Sequence, residues 1–163
     1  MRIRGIPGVF TALLLLAACQ EEEPPPFVAP FPYDTAAVTV RSDGASARLL
    51  VEVARTPQQQ ELGLGLRPSL DPGSGMLFPY DSVRSDSAGF WMWRMRIPID
   101  LAYLDSAGTV LRLFSLEPCD AVYLQGCPTT VPGVPYWSVL ETNQGWFAEN
   151  GMGEGAVVTV EEG

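Results

Sequence analysis

Residues Gly89–Val110 read GFWMWRMRIPIDLAYLDSAGTV, and the reading of this stretch decides the fold. It carries two of the four tryptophans, two of the five methionines, two arginines and an aspartate set among apolar residues. Its composition predicts two strands, about Phe90–Met95 and Ile99–Leu104, rich in the aromatic and branched side chains that pack on a pleated surface. Asp105-Ser106-Ala107-Gly108 follows, with Asp and Gly where turns favour them, and leads into a third strand over Thr109–Leu116. Asp105 is therefore read as a turn residue.

Working outward, Val38–Arg41 and Ala47–Ala54 form a predicted hairpin around Ser42-Asp43-Gly44. Leu49, Val51 and Val53 alternate with Arg48 and Glu52, the period of a half-buried strand. Thr56-Pro57-Gln58-Gln59 has the N-cap, N1 proline and N3 glutamine of a capping box, and Gly63 and Gly65 stop the helix within about two turns. Arg67–Gly75 reads as a loop, Met76–Tyr80 as a short strand, and the polar Asp81–Ala88 as an exposed loop. Tyr136–Thr142 is a strand, Gln144–Asn150 a helical turn and Ala156–Glu161 a closing strand. Many short strands with one or two short helices predict a mainly β protein, a compact sandwich or barrel-like single domain over residues 38–163.

The chain has 163 residues, a formal net charge of −9, no lysine and no histidine. An acidic surface repels phosphate backbones, so nucleic acid is not an expected partner. Without histidine there is no Ser-His-Asp or Cys-His system and no imidazole metal site. Without lysine there is no Schiff base and no P-loop lysine. No cofactor is implied.

Met1–Cys19 is a targeting segment, with Arg2 and Arg4 before a short apolar run through Leu13–Leu16. Leu16-Ala17-Ala18-Cys19 resembles the lipobox of bacterial lipoproteins. The resemblance implies a signal peptide over residues 1–18 and acylation of Cys19 as the new N-terminus. It makes this an exported protein of the bacterial cell envelope, anchored to the membrane by lipid and stably held by several acyl chains. Gln20 lacks the aspartate that favours inner-membrane retention, which points to the outer membrane, facing the periplasm. Residues 19–37 form an acidic, proline-rich tether. Cys119 and Cys127 bracket a loop, and in an exported protein they are expected to form a disulfide.

Five segments together resemble a family called domain of unknown function 192. They are VEVARTPQQQELGLGLRPSL, GMLFPY, FWMWRMRIPIDLAYLD, Cys127-Pro128 and VLETNQGWFAENGMGEGAVVTV, in the family's order from about Val51 to Val160. The resemblance implies a compact, mostly β domain with no established activity. The chain departs from the family pattern at two places. Gly63-Leu64-Gly65 stands for Gly-Leu-Met, and Trp93, Arg94 and Met95 stand for Lys-Asn-Thr.

Candidate site residues follow from chemistry. Asp100 lies among apolar strand neighbours, and a buried carboxylate needs a cation or several hydrogen bonds. Arg67, Arg94 and Arg96 are the cations at hand. Glu141 raises the same question. Trp91, Trp93 and Trp137 suggest an aromatic platform, with Trp91 assigned to the core and Trp93 to the surface beside its arginines. Met76, Met92, Met95 and Met152 raise a thioether metal site, but methionine is ordinary core filler and no metal site is assigned. The leading reading is a non-catalytic binding or accessory module contacting a small envelope ligand or a protein partner through Arg67, Trp93, Arg94, Asp100 and Glu141. The alternative is a carboxylate-based, glycosidase-like hydrolase using Asp100 and Glu141, which requires both carboxyl groups in one cleft.

Overall fold

A computed structural model describes residues 27–119 and 121–161. The predicted signal peptide, Cys19 and the first part of the predicted tether lie outside these residues. The hairpin forms first in sequence: β1 (Asp34–Ser42) and β2 (Ala45–Val53) pair antiparallel in continuous register around Asp43-Gly44. It begins at Asp34, a few residues before the predicted start.

Helix α1 (Pro57–Leu62) is capped as the sequence predicts. The Thr56 hydroxyl accepts from the Gln59 N–H at 3.2 Å, and the Gln59 side chain accepts from the Thr56 N–H at 2.9 Å. Through α1 the chain crosses over and lays β3 (Ser74–Arg84) parallel to β2. A parallel neighbour requires such a crossover, because a tight turn can only reverse the chain.

Strands β5 (Ile99–Leu104), β6 (Val110–Leu116), β8 (Tyr136–Asn143) and β9 (Val157–Val160) complete a seven-stranded sheet in the order β6-β5-β8-β3-β2-β1-β9. The sheet curls into a half-barrel. Its two ends meet where the Val110 N–H donates to Ala156 and the Val158 N–H donates to Gly108, both at 2.8 Å. Strands β4 (Phe90–Trp91) and β7 (Thr129–Thr130) make a separate two-stranded ladder. Cys119 and Cys127 are joined by a disulfide.

All six residues of β5 are buried. The reason is that apolar cores cover both faces of the central strands. Val51, Leu77, Ala102, Leu140 and Phe147 belong to one core, and Met76, Phe78, Leu101, Tyr103 and Val139 to the other. Of the four methionines named above, Met152 belongs to the first core and Met76, Met92 and Met95 to the second.

Two predicted boundaries are corrected. Asp81–Arg84 is not loop but an exposed continuation of β3 beyond an irregularity in register between Pro79 and Arg84. Proline has no N–H to give a ladder, and interruptions of this kind are where strands bend. Phe90–Met95 is strand only at Phe90–Trp91. The Met95 N–H turns back to the Met92 carbonyl, and Arg94 has φ 64°. Burial of Met92, Met95 and Ile97 with Trp93, Arg94 and Arg96 outside breaks the alternation a strand would need.

Candidate functional site

Strand register sorts the carboxylates by face, since residues directly opposite in a ladder share a side of the sheet. Glu52 of β2 pairs with Met76 of β3, Met76 with Glu141 of β8, and Glu141 with Leu101 of β5. These four form a row on the second core's face. Asp100 pairs instead with Thr142 and Ser115, on the first core's face. Asp100 and Glu141 therefore occupy adjacent strands but opposite sides of the sheet. The paired-carboxylate arrangement does not form, because side chains one position out of phase alternate across the pleat.

Asp100 is structurally satisfied. Its Oδ1 accepts from the Ser115 hydroxyl at 2.6 Å and its Oδ2 from the backbone N–H of Phe147 at 3.3 Å. Phe147 lies in helix α2 (Trp146–Glu149), so the carboxylate fixes that turn against the sheet. Asp100→Ala is expected to cost about 1–3 kcal/mol by chemical denaturation, because it leaves the buried Phe147 N–H without its acceptor. Equal stability of variant and wild type would show that Asp100 carries none of that load.

Glu141 is different. It is 6% exposed, and its Oε2 has no hydrogen-bond partner among the described residues. Burial pushes its pKa up to about 8, only partly offset by the Arg67 guanidinium. Arg67 itself is held by an ion pair to Glu52 and lies over the rings of Phe27 and Tyr33, 5.1 and 5.8 Å from their centroids. Part of the tether thus packs on the domain. The Arg67 guanidinium is paired with Glu52 through Nη2 while its Nε has no hydrogen-bond partner among the described residues, and Glu141 is left as the odd carboxyl of the row.

Glu141 lines a cavity of about 370 Å³. Its walls are Phe78 and Tyr80 of β3, Tyr136 of β8, and Phe90, Trp91 and Trp93 around β4. The rings interlock edge to face: Phe78 with Phe90 at 5.2 Å, and Tyr136 with Tyr103 at 4.8 Å and with Tyr80 at 5.9 Å. Burial raises the hydroxyl pKa of Tyr80, Tyr103 and Tyr136, which keeps them protonated. Helix α1 forms the remaining edge with Gln60 and Glu61, and the backbone passes so close at Gly63 that a Cβ would stand 3.8 Å from Glu141 Oε2. The crossover between β2 and β3 is therefore what encloses the site. Arg84 sits at the exposed mouth, its guanidinium 4.9 Å above the Tyr80 ring.

Of the residues singled out from sequence, Glu141, Trp91, Trp93 and Met95 meet at this cavity. Arg67 is not part of its lining and is tied to Glu52. Arg94 stacks on Trp93 at 4.1 Å, and its carbonyl accepts from the Leu66 N–H at 2.8 Å. Arg94 and Leu66 are the two non-glycine residues with positive φ among those described. Such strain gathers at sites that hold a loop in one shape. Trp91, assigned to the core from sequence, is 38% exposed and belongs to the cavity rim, because Phe90 takes the inward position of that short strand. Trp137 is 39% exposed and is not part of the cavity lining. Tyr80, Arg84, Phe90 and Tyr136 were not singled out. Their signal was present only as aromatic residues at strand positions, which core packing produces equally well.

Fold and cavity together define a class: a small β half-barrel domain with an aromatic pocket closed over one buried carboxyl group. Within that class the chain belongs to the DUF192 family, described as an uncharacterized ACR, whose pattern matches residues 38–160. Its fold is similar to that of a Sinorhizobium meliloti 1021 protein described as a candidate transcription regulator, at 26% identity, a TM-score of 0.69 and coverage of 81% of this chain and 98% of that one. It is also similar to a protein of unknown function from Novosphingobium aromaticivorans DSM 12444, at 28% identity, a TM-score of 0.67 and coverage of 85% and 94%. No curated protein matches the chain. Of the departures noted in the sequence, Trp93 and Met95 line the cavity, whereas Gly65 and Arg94 are not part of its lining. Position 94, where the pattern has asparagine, adopts the left-handed backbone that asparagine tolerates better than arginine.

Proposed function

We propose that this protein is a non-catalytic binding module of the bacterial envelope, tethered by lipid on Cys19, whose pocket over Glu141 takes a small ligand. The observation that carries the reading is that Glu141, a buried carboxyl group with no hydrogen-bond partner for its Oε2 among the described residues, lines an aromatic cavity. A buried acceptor without a partner is costly, and a ligand donor removes that cost. The cavity volume falls within the range of small-molecule sites. Separation of Asp100 from Glu141 across the sheet weighs against the glycosidase-like alternative, which needs both in one cleft. The net charge of −9 weighs against carrying the neighbour's regulator description over to DNA binding by this chain.

The test is a thermal-shift panel of envelope glycans, peptidoglycan fragments and small organic ions on the full-length chain, with recovery of each hit to check that it is unchanged. A ligand at a hundred times its dissociation constant adds about 2.7 kcal/mol. Trp91→Ala is expected to weaken a hit at least tenfold while leaving the unliganded chain folded. A panel with no hit, hits indifferent to Trp91 and Glu141 alike, or a hit converted to product would each remove the reading. For the anchor, Cys19→Ala is expected to abolish incorporation of labelled palmitate.

A further inference from the structure

The pocket's charges, taken one by one, say what kind of ligand it suits. Arg67 is the cation acting on Glu141, and its ion pair is with Glu52. Tyr33, Tyr80 and Tyr103 also feel the Glu141 charge, and burial holds these hydroxyls and that of Tyr136 in the neutral form. At the mouth, Arg84 and Glu61 oppose one another in sign, and Arg84 is spread over the Tyr80 ring. What remains inside is one carboxyl group, in a lining it shares with Phe78, Phe90, Trp91 and Trp93.

Building on the pocket reading above, we propose that the cavity is a site for a small protonated amine, its N–H donating to the Glu141 carboxylate and its carbon skeleton lying against the aromatic walls. Aromatic rings attract cations through their negative faces, and a desolvated site strengthens that attraction. An unpartnered acceptor oxygen asks for a donor, which a primary or secondary ammonium supplies and a quaternary one does not. The acidic surface concentrates cations around the domain. An anionic ligand would meet the same carboxyl group, while the cation of the lining, Arg84, stands at the mouth over the Tyr80 ring.

Binding has a proton balance. Near neutral pH Glu141 enters as the neutral acid. Pairing with R–NH₃⁺ ionises it, and its proton leaves to solvent, with no other bond made or broken. One proton is thus released per amine bound, and affinity rises with pH until Glu141 is already ionised in the free protein.

The experiment is calorimetric titration of the full-length chain with benzylamine, benzyl alcohol and benzoate, three ligands sharing one ring and differing in charge. With the Glu141 pKa at about 8, benzylamine affinity is expected to rise about tenfold from pH 6 to pH 7. Benzyl alcohol and benzoate are expected to bind at least tenfold more weakly at pH 8, and Glu141→Gln to weaken benzylamine by a similar factor. Affinity that falls with rising pH, or benzyl alcohol or benzoate binding as tightly as benzylamine, overturns the amine assignment and leaves the pocket standing. No binding by any of the three overturns both. If Glu141→Gln does not fold, the pH slope and proton release of the wild-type chain decide the question alone.

Discussion

The folded chain is expected to lose roughly 4 kcal/mol of stability between pH 4.5 and pH 8 through Glu141 alone, and Glu141→Gln to abolish that loss. Burial holds the Glu141 pKa at about 8 in the folded state, against an ordinary value of 4.5. Because the folded value is the higher one, its contribution is present in full below pH 4.5. As pH rises, the unfolded chain gives up this proton while the folded chain keeps it. Stability falls by about 1.4 kcal/mol per pH unit until the folded group also ionises. The tyrosines with raised pKa values begin to matter only at higher pH, and Glu161, lowered by Arg48, only at lower pH. Urea unfolding of wild type and variant at about pH 5, 6.5 and 8.5 isolates the effect as a difference between two curves. Domains are stable by only about 5–15 kcal/mol, so a loss of this size is easily read. Parallel curves would mean that Glu141 is solvated, and would remove the floor from the proposed pocket.

The second large effect belongs to the seam of the half-barrel. Gly108→Ala is expected to destabilise by about 3–4 kcal/mol, and Gly44→Ala by only about 1 kcal/mol. Both glycines have positive φ, 83° and 80°, so both substitutions carry the left-handed penalty of about 1–2 kcal/mol. At Gly44 a Cβ meets nothing within 4 Å, whereas at Gly108 it would stand 2.1 Å from the Val158 carbonyl oxygen. The Gly108 carbonyl accepts from the Val158 N–H at that same point, so a side chain there must separate β9 from the start of β6. The difference between the two variants therefore measures closure, freed of the turn penalty they share. Equal losses would show that the seam yields at little cost.

The elements that sequence made legible are those whose causes are local. The capping box at Thr56 and Gln59, the Asp43-Gly44 turn and the Asp105 turn rest on side chains a few residues apart. Asp105 Oδ1 accepts from the N–H groups of Ala107 and Thr109, both at 2.8 Å, as its turn role requires. The elements that misled are those where a neighbour distant in sequence decides. Nothing within Asp81–Arg84 tells that β8 lies alongside, and nothing within Trp91–Arg94 tells that Leu66 will bond the Arg94 carbonyl.

Sequence alone determined the mainly β class, the short capped helix and the membership suggested by five segments in order. It also picked Glu141 and Asp100 as the carboxylates needing explanation, because ionisable residues in apolar strand runs are costly wherever the strand ends up. Only the tertiary structure decided between them. Register set Asp100 against Ser115 and Phe147, where two donors satisfy it, and the crossover through α1 set Glu141 beneath an aromatic cavity with Oε2 unmatched. A strand's pattern fixes which residues alternate, but the face each one meets depends on what the chain brings over that face from elsewhere.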